Sequence, residues 1–454
     1  MNWVSPITIV AAVALAAACG SSSGSNSGGP SPDAGGAGDG VASEAGPEAA
    51  TGDAGKEAAP EPPDDGPWPA AHYPLPLLVN EGGSVIAAPK IVTVTFTGNP
   101  DVTALQTFDD TFAEGTPWWK AVTAGYNIGP ATAGGHYILP DTVSNTSLDD
   151  DQGQVGLLVT QAIASGALPM PDANTVFIVF FPSTTTLTVQ GGQGCATFGA
   201  YHNTVDLPTE AGMLQLVYAV IANCPAQGST DQSTAATTDD VSHEMIEAAT
   251  DPGVGVGNIT WYGYNNAWFR LPTAPGSAPQ PGQGEVADVC QSSRSVTDAM
   301  GNVLARSWVN AAAMASSDPC QPELAGEIFY DVAVPTTTEK QPGYPDSDGY
   351  IVVPRGTTVT VDSVVFSEAK LPNDVQISVG TRMQGSPTLN PAIATGITAS
   401  VTPTSGHNGV HVTLTIQVAS TATVGDYGNT TKVAVRAGLS STDHHDWPFI
   451  IRVK

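Results

Sequence analysis

Thr175-Val176-Phe177-Ile178-Val179-Phe180-Phe181 is an unbroken run of β-branched and aromatic residues. A strand with one wet face would alternate, so this run predicts a strand covered on both faces. Such a strand needs layers above and below it, and the neighbouring sequence supplies them. Upstream, Val155, Leu158, Val159, Ala162 and Ile163 recur at helical spacing, behind an acidic start at Asp149-Asp150-Asp151. Ile91 to Phe96 is a β-branched strand bounded by Pro89 and Gly98. Thr116-Pro117-Trp118-Trp119 opens a helix, with Thr as N-cap and Pro in the first helical position; one tryptophan is expected in the core and the other at its rim. Leu216 to Ile221 adds a further strand. This order predicts an α+β fold, a layered α/β domain over residues 68–325.

The next helix carries the chemistry. In Ser242-His243-Glu244-Met245-Ile246-Glu247-Ala248-Ala249-Thr250-Asp251-Pro252, Val241, Met245 and Ala248 or Ala249 form an apolar side, Asp239 or Asp240 is placed to cap the start, and Thr250-Asp251-Pro252 stops the helix. Residues four apart share a helical face, so His243 and Glu247 can reach one metal ion with Glu244 beside it.

The 454 residues carry 14 Lys+Arg against 43 Asp+Glu, a net charge of −29. That balance argues against nucleic acid or an anionic membrane surface as a direct partner. The low charged fraction of 13% suggests a secreted, β-rich protein. Leu15-Ala16-Ala17-Ala18-Cys19-Gly20, after the apolar run from Ile7, resembles a bacterial lipoprotein signal. It implies a signal peptide at residues 1–18, a lipid anchor at Cys19, and export to the cell envelope, at the outer membrane or cell surface. Residues 19–67 are Gly, Ser, Ala, Pro and acids with almost no large apolar side chain, and they predict a disordered tether. In an oxidising compartment the remaining cysteines form disulfides; nearness in sequence favours Cys195 with Cys224 and Cys290 with Cys320.

His243-Glu244-Met245-Ile246-Glu247 resembles the zincin helix His-Glu-x-x-His with glutamate in place of the second histidine. That resemblance implies a zincin-like domain, zinc held by His243 and Glu247, and Glu244 as general base on the metal-bound water. A carboxylate ligand adds negative charge and should activate that water less than imidazole does. Phe198-Gly199-Ala200-Tyr201-His202, Asp251-Pro252, Trp261-Tyr262 and Glu285-Val286-Ala287-Asp288-Val289-Cys290 flank the helix. With it they resemble the extracellular phosphate-induced, EXORDIUM-like family and its bacterial relatives, over most of residues 75–325. The resemblance offers Glu285 and Asp288 for the third ligand position: Glu285 is expected to bind the metal and Asp288 to support it, with Asp251 and His202 as competitors. Tyr201-His202, read as a polar loop, could alternatively stabilise an oxyanion, which makes His202 a catalytic candidate beside Glu244.

Beyond Pro322, Val410, Val412, Leu414, Ile416 and Val418 alternate with polar residues. Short strands around Val359–Val361, Val375–Ile377, Lys432–Val435 and Pro448–Val453 complete the pattern of an all-β, immunoglobulin-like sandwich over residues 326–454. Asp443-His444-His445-Asp446 reads as a polar turn before the last strand. The leading expectation is a surface-anchored zinc peptidase acting on protein or peptide. The alternative is a non-catalytic binding or adhesion protein with a structural or vestigial metal, whose sandwich engages protein or polysaccharide.

Overall fold

In the computed structural model, which describes residues 66–75, 77–80, 82–113, 115–210, 212–224, 234–253, 261–262, 285–290, 293–336, 350–381, 389–391, 393–422, 430–441 and 443–454, the Thr175–Phe180 run is the middle strand of a five-stranded sheet. Its strands are β1 (Lys90–Phe96), β2 (Thr132–Leu139), β3 (Thr175–Phe180), β4 (Ala200–Thr209) and β5 (Gly212–Ile221). They lie in the order β2-β1-β3-β5-β4, parallel except for β4, which runs antiparallel to β5 at the edge. All six residues of β3 are buried. Side chains alternate across a strand, so Val176, Ile178 and Phe180 enter one core while Phe177 and Val179 enter a second. The signal, Cys19 and the tether up to residue 65 lie outside the described residues.

The helices that pack on this sheet are α1 (Val102–Ala113), α2 (Pro117–Val122), α3 (Gln154–Ala164) and α4 (Thr234–Thr250). Residues of α1, α2 and α4 share the core of Val176, and α3 shares that of Phe177. The Thr116 hydroxyl caps α2 by accepting from Trp119 N. Both tryptophans are buried, against the expectation that one would form a rim. Trp118 Nε1 donates to Ala305 O at 2.8 Å and Trp119 Nε1 to Gly129 O at 2.9 Å, so neither indole needs water.

The acidic triplet also differs from the sequence reading. Asp150–Gln152 form a short 3-10 turn, and α3 begins only after Gly153, which takes a left-handed φ of 66°. Asp150 points inward and accepts from the hydroxyls of Tyr201 and Tyr218, from Asn203 Nδ2 and from Val155 N. One acid of the three is thus a polar plug between helix and sheet.

Nine strands follow: β6 (Tyr330–Ala333), β7 (Tyr350–Val353), β8 (Thr358–Ser367), β9 (Val375–Gly380), β10 (Ile397–Thr402), β11 (Ser405–Gly406), β12 (His411–Val418), β13 (Thr430–Gly438) and β14 (His444–Val453). They form two sheets, β6-β8-β12-β10 and β7-β14-β13-β9-β11. Val412, Leu414, Ile416 and Val418 are buried while His411, Thr413 and Gln417 are exposed, as the alternation requires. The expected turn at Asp443–Asp446 is shorter than predicted. His444 already begins β14, because Asp446 pairs in register with Arg436 of β13 and forms an ion pair with it at 2.6 Å.

The sandwich packs directly onto the α/β layers. One apolar core runs from Trp308 and Val286 through Phe329 and Tyr330 to Phe366 and Trp447. The segment before β1 crosses the seam: the His72 ring stacks on Phe366 at 3.8 Å, Ala70 N donates to Asn408 Oδ1, and Asn408 Nδ2 donates to Pro67 O.

Candidate metal centre

α4 is set by its apolar side. Val241, Met245, Ile246, Ala248 and Ala249 are buried, which turns His243, Glu244 and Glu247 toward β4 and the segment 285–290. The helix already spans Thr234 to Thr250, so Asp239 and Asp240 lie inside it and do not cap it. Its end is where the sequence placed it. Thr250 Oγ1 donates to Ile246 O, Asp251 N to Glu247 O, and Ile86 N to Ala249 O. Along its length Ala305 N donates to Ser242 Oγ and Val303 N to Thr238 Oγ1, which fixes the rotation of the helix about its axis.

His243 Nε2 lies 3.1 Å from Glu247 Oε1 and 3.5 Å from Asp288 Oδ1. The backbone N–H groups of Ala287 and Asp288 donate to the same Glu247 oxygen at 3.2 and 2.9 Å. That segment is held by a helical turn, Val289 N to Glu285 O, by Trp308 N to Val286 O, and by the Cys290–Cys320 disulfide. Cys195 pairs with Cys224, so both pairings favoured by sequence are present. Two disulfides fit an extracellular, oxidising location. Among the described residues no helix is long and apolar enough to cross a membrane.

His202 is in β4, not in a loop, and is 1% exposed. It is two residues from Ala200, hence on the sheet face that meets α4. Its Nδ1 lies 3.1 Å from Glu244 Oε2; its Nε2 lies 3.3 Å from Asp251 O and 3.5 Å from Glu285 Oε1. The structure therefore brings His202, His243, Glu244, Glu247, Asp251, Glu285 and Asp288 into one buried cluster. Within it Asp288 stands beside His243, and Glu285 beside His202. Sequence reading proposed all these residues but not this division, since the β4 partner is far from the helix in sequence. Asp239, which sequence reading left at a helix cap, accepts from Ser295 Oγ at 2.7 Å close to His243.

The electrostatics are those of crowded buried acids. Burial pushes Glu247 up to about 7, opposed by His243 and reinforced by Asp288 and Glu244. Burial also pushes Glu285 well above the usual carboxylate range, with Glu247, Asp251, Asp288 and Glu244 adding to the shift. Burial alone would lower His202; the hydrogen bond to Glu244 and the charges of Glu244, Glu247 and Asp251 outweigh it, and the pKa is raised. Glu285 Oε1 is buried and accepts no hydrogen bond. Buried imidazole nitrogens and carboxylate oxygens, one of those oxygens without a donor, form a set that fits a divalent cation. Among the described residues two groups have ligand atoms close enough to hold one: His243 with Glu244 and Glu247, and His202 with Glu247 and Glu285.

No family model matches the chain, and no curated protein matches it. Several solved structures align weakly. Domains 4 and 5 of the S-layer protein SbsC match at 13% identity over 28% of this chain and 53% of that one, with a TM-score of 0.16. The SrpA adhesin from Streptococcus sanguinis matches at 12% over 29% and 60%, with a TM-score of 0.20. Wild-type OgpA from Akkermansia muciniphila matches at 9% over 81% and 94%, with a TM-score of 0.22. This chain spans less than two thirds of the S-layer fragment and of the adhesin. Similarities of this size fix neither fold nor function.

Proposed function

We propose that the protein is an exported metal-dependent hydrolase, a zinc peptidase with a zincin-like catalytic domain, tethered to the cell envelope through Cys19. One observation carries the reading: His243 and Glu247 approach to 3.1 Å on one face of α4, with Asp288 alongside and Glu244 held by His202. His243 and Glu247 would hold the ion, with Asp288 or Glu285 as the third protein ligand. When bound, the ion lowers the pKa of a water and polarises a carbonyl.

The chain's own residues supply the rest. The His202 imidazole fixes the Glu244 carboxylate so that one oxygen can take the proton of the attacking water and later pass it to the leaving amine. Backbone N–H groups at 287 and 288 hold Glu247 against rotation, a constraint of the kind that tunes metal ligands. Burial of His202, His243, Glu244 and Glu247 lowers the local dielectric, which strengthens each of these interactions. The substrate class is protein or peptide, with the immunoglobulin-like sandwich as a fixed neighbour of the catalytic layer.

The test is Glu244→Gln in the full chain, loaded with Zn2+ and assayed on denatured protein and a peptide panel. Turnover should fall by about 10²- to 10⁴-fold with metal content unchanged. Equal turnover in both proteins would remove Glu244 from the chemistry. Stoichiometric metal with no turnover in the wild type would favour the alternative of a binding or adhesion protein.

A further inference from the structure

Two donor sets meet at one residue. His243 and Glu244 gather on Glu247 from within α4; His202 from β4 and Glu285 from the 285–290 segment gather on it from outside, and Glu247 alone belongs to both sets. In each set the three ligand atoms lie within 4.8 Å of one another. Five carboxylates, those of Glu244, Glu247, Asp251, Glu285 and Asp288, share this space, and each is buried. A single divalent cation offsets two of those five charges. Buried charge without compensation is costly, so protons or a further cation must make up the difference.

The outer set is arranged as a ligand set. His202 Nδ1 faces Glu244 Oε2 and its Nε2 faces Glu285 Oε1 and Asp251 O, so a positive charge, either a cation or a proton on Nε2, belongs between that nitrogen and those oxygens. Glu285 Oε1 accepts no hydrogen bond although the side chain is fully enclosed. An imidazole whose other nitrogen is tied to a carboxylate is the usual posture of a metal-ligating histidine. Glu247 is held at one oxygen by two backbone N–H groups, which fixes the carboxylate that both sets share.

We propose that the centre takes a pair of divalent cations bridged by Glu247, the first on His243 and the second on His202 and Glu285. The inference rests on the single-cation reading above and extends it. Glu247 would be the residue common to both ions, and the pair would supply water activation and polarisation of a carbonyl beside Glu244. The second cation offsets the weaker activation that a carboxylate ligand gives the first.

The full chain is stripped with a chelator, dialysed against Zn2+, passed through a desalting column to remove surface-bound ion, and assayed for metal per chain. Two equivalents are expected for the wild type and one for His202→Asn. Because His202 is buried, the isosteric Glu285→Gln serves as the second variant, with circular dichroism as the control for folding; it too should hold one. A wild type with one equivalent, or a folded variant with the wild-type content, overturns the pair and leaves the single-metal hydrolase standing. A wild type with none overturns both. Loaded with Mn2+, the wild type should give the spectrum of an exchange-coupled pair by electron paramagnetic resonance; an isolated six-line signal overturns the bridge.

Discussion

Gly199 and Asp240 touch so closely that a Cβ at position 199 would stand 2.4 Å from Asp240 Oδ2 and 2.8 Å from its Cγ. Asp240 is in α4, and Gly199 immediately precedes β4, the strand that carries His202. The absence of a side chain at position 199 leaves room for the Asp240 carboxylate between the helix and the strand that carries His202. Gly199→Ala forces the Asp240 carboxylate out of its place against the strand. It should cost about 1–3 kcal/mol of stability in chemical denaturation, with a loss of metal affinity measured on the same sample.

Asp109 lies on the buried side of α1, its Oδ2 accepting from the Thr93 hydroxyl of β1 at 2.6 Å. Burial pushes its pKa up to about 8, against the Thr93 hydrogen bond and with a smaller push from Asp110. A folded pKa above the unfolded value means that the folded state holds the proton more tightly. The associated stability is complete below the unfolded pKa of about 4 and is lost as pH rises through about 8, a swing on the order of several kcal/mol. Asp109→Asn should flatten that dependence and be more stable than the wild type at pH 9, measured by urea unfolding at pH 5 and pH 9.

The Cys290–Cys320 bridge closes a separation of 30 residues and anchors the segment bearing Glu285 and Asp288. Replacing both cysteines with alanine should cost about 3–4 kcal/mol and weaken metal binding. The corresponding change at Cys195 and Cys224 should cost similar stability and leave the His243 and Asp288 side of the centre less affected. Competition with a chromogenic chelator separates the two outcomes.

A chain ending at residue 325 loses the partners of its own apolar surface. Phe366 would no longer cover His72, nor Asn408 hold Ala70, and the core around Trp308 would open. The truncated protein should bind a hydrophobic dye and unfold at lower temperature than the full chain. An unchanged melting temperature would make the sandwich a spacer.

Local patterns were sufficient for much of this. The alternation in β12, the continuous run of β3 and the i, i+4 placement of His243 and Glu247 follow from strand and helix geometry, which neighbouring residues impose on one another. The helix stop at Thr250 and both cysteine pairings were likewise legible. The helix start was not, because Asp239 and Asp240 resemble caps in isolation, yet α4 already begins at Thr234. The acidic start was legible in part: Asp149 caps the 3-10 turn and Asp150 Oδ1 accepts from Val155 N of α3, but only the two tyrosines packed above Asp150 reveal its other oxygen as a buried acceptor.

By itself the sequence determined the doubly covered run of β3, the alternation of β12 and the face of α4 that carries His243 and Glu247, whereas α1, β2 and the strand character of His202 were not legible in it. Tertiary structure alone decided which acid stands beside which histidine, that His202 backs Glu244 from a neighbouring strand, and that the sandwich shares a core with the layers before it. The physical reason is that contacts between residues about 40 apart depend on how a sheet and a helix dock, and docking is set by packing summed over the whole interface rather than by any motif within it.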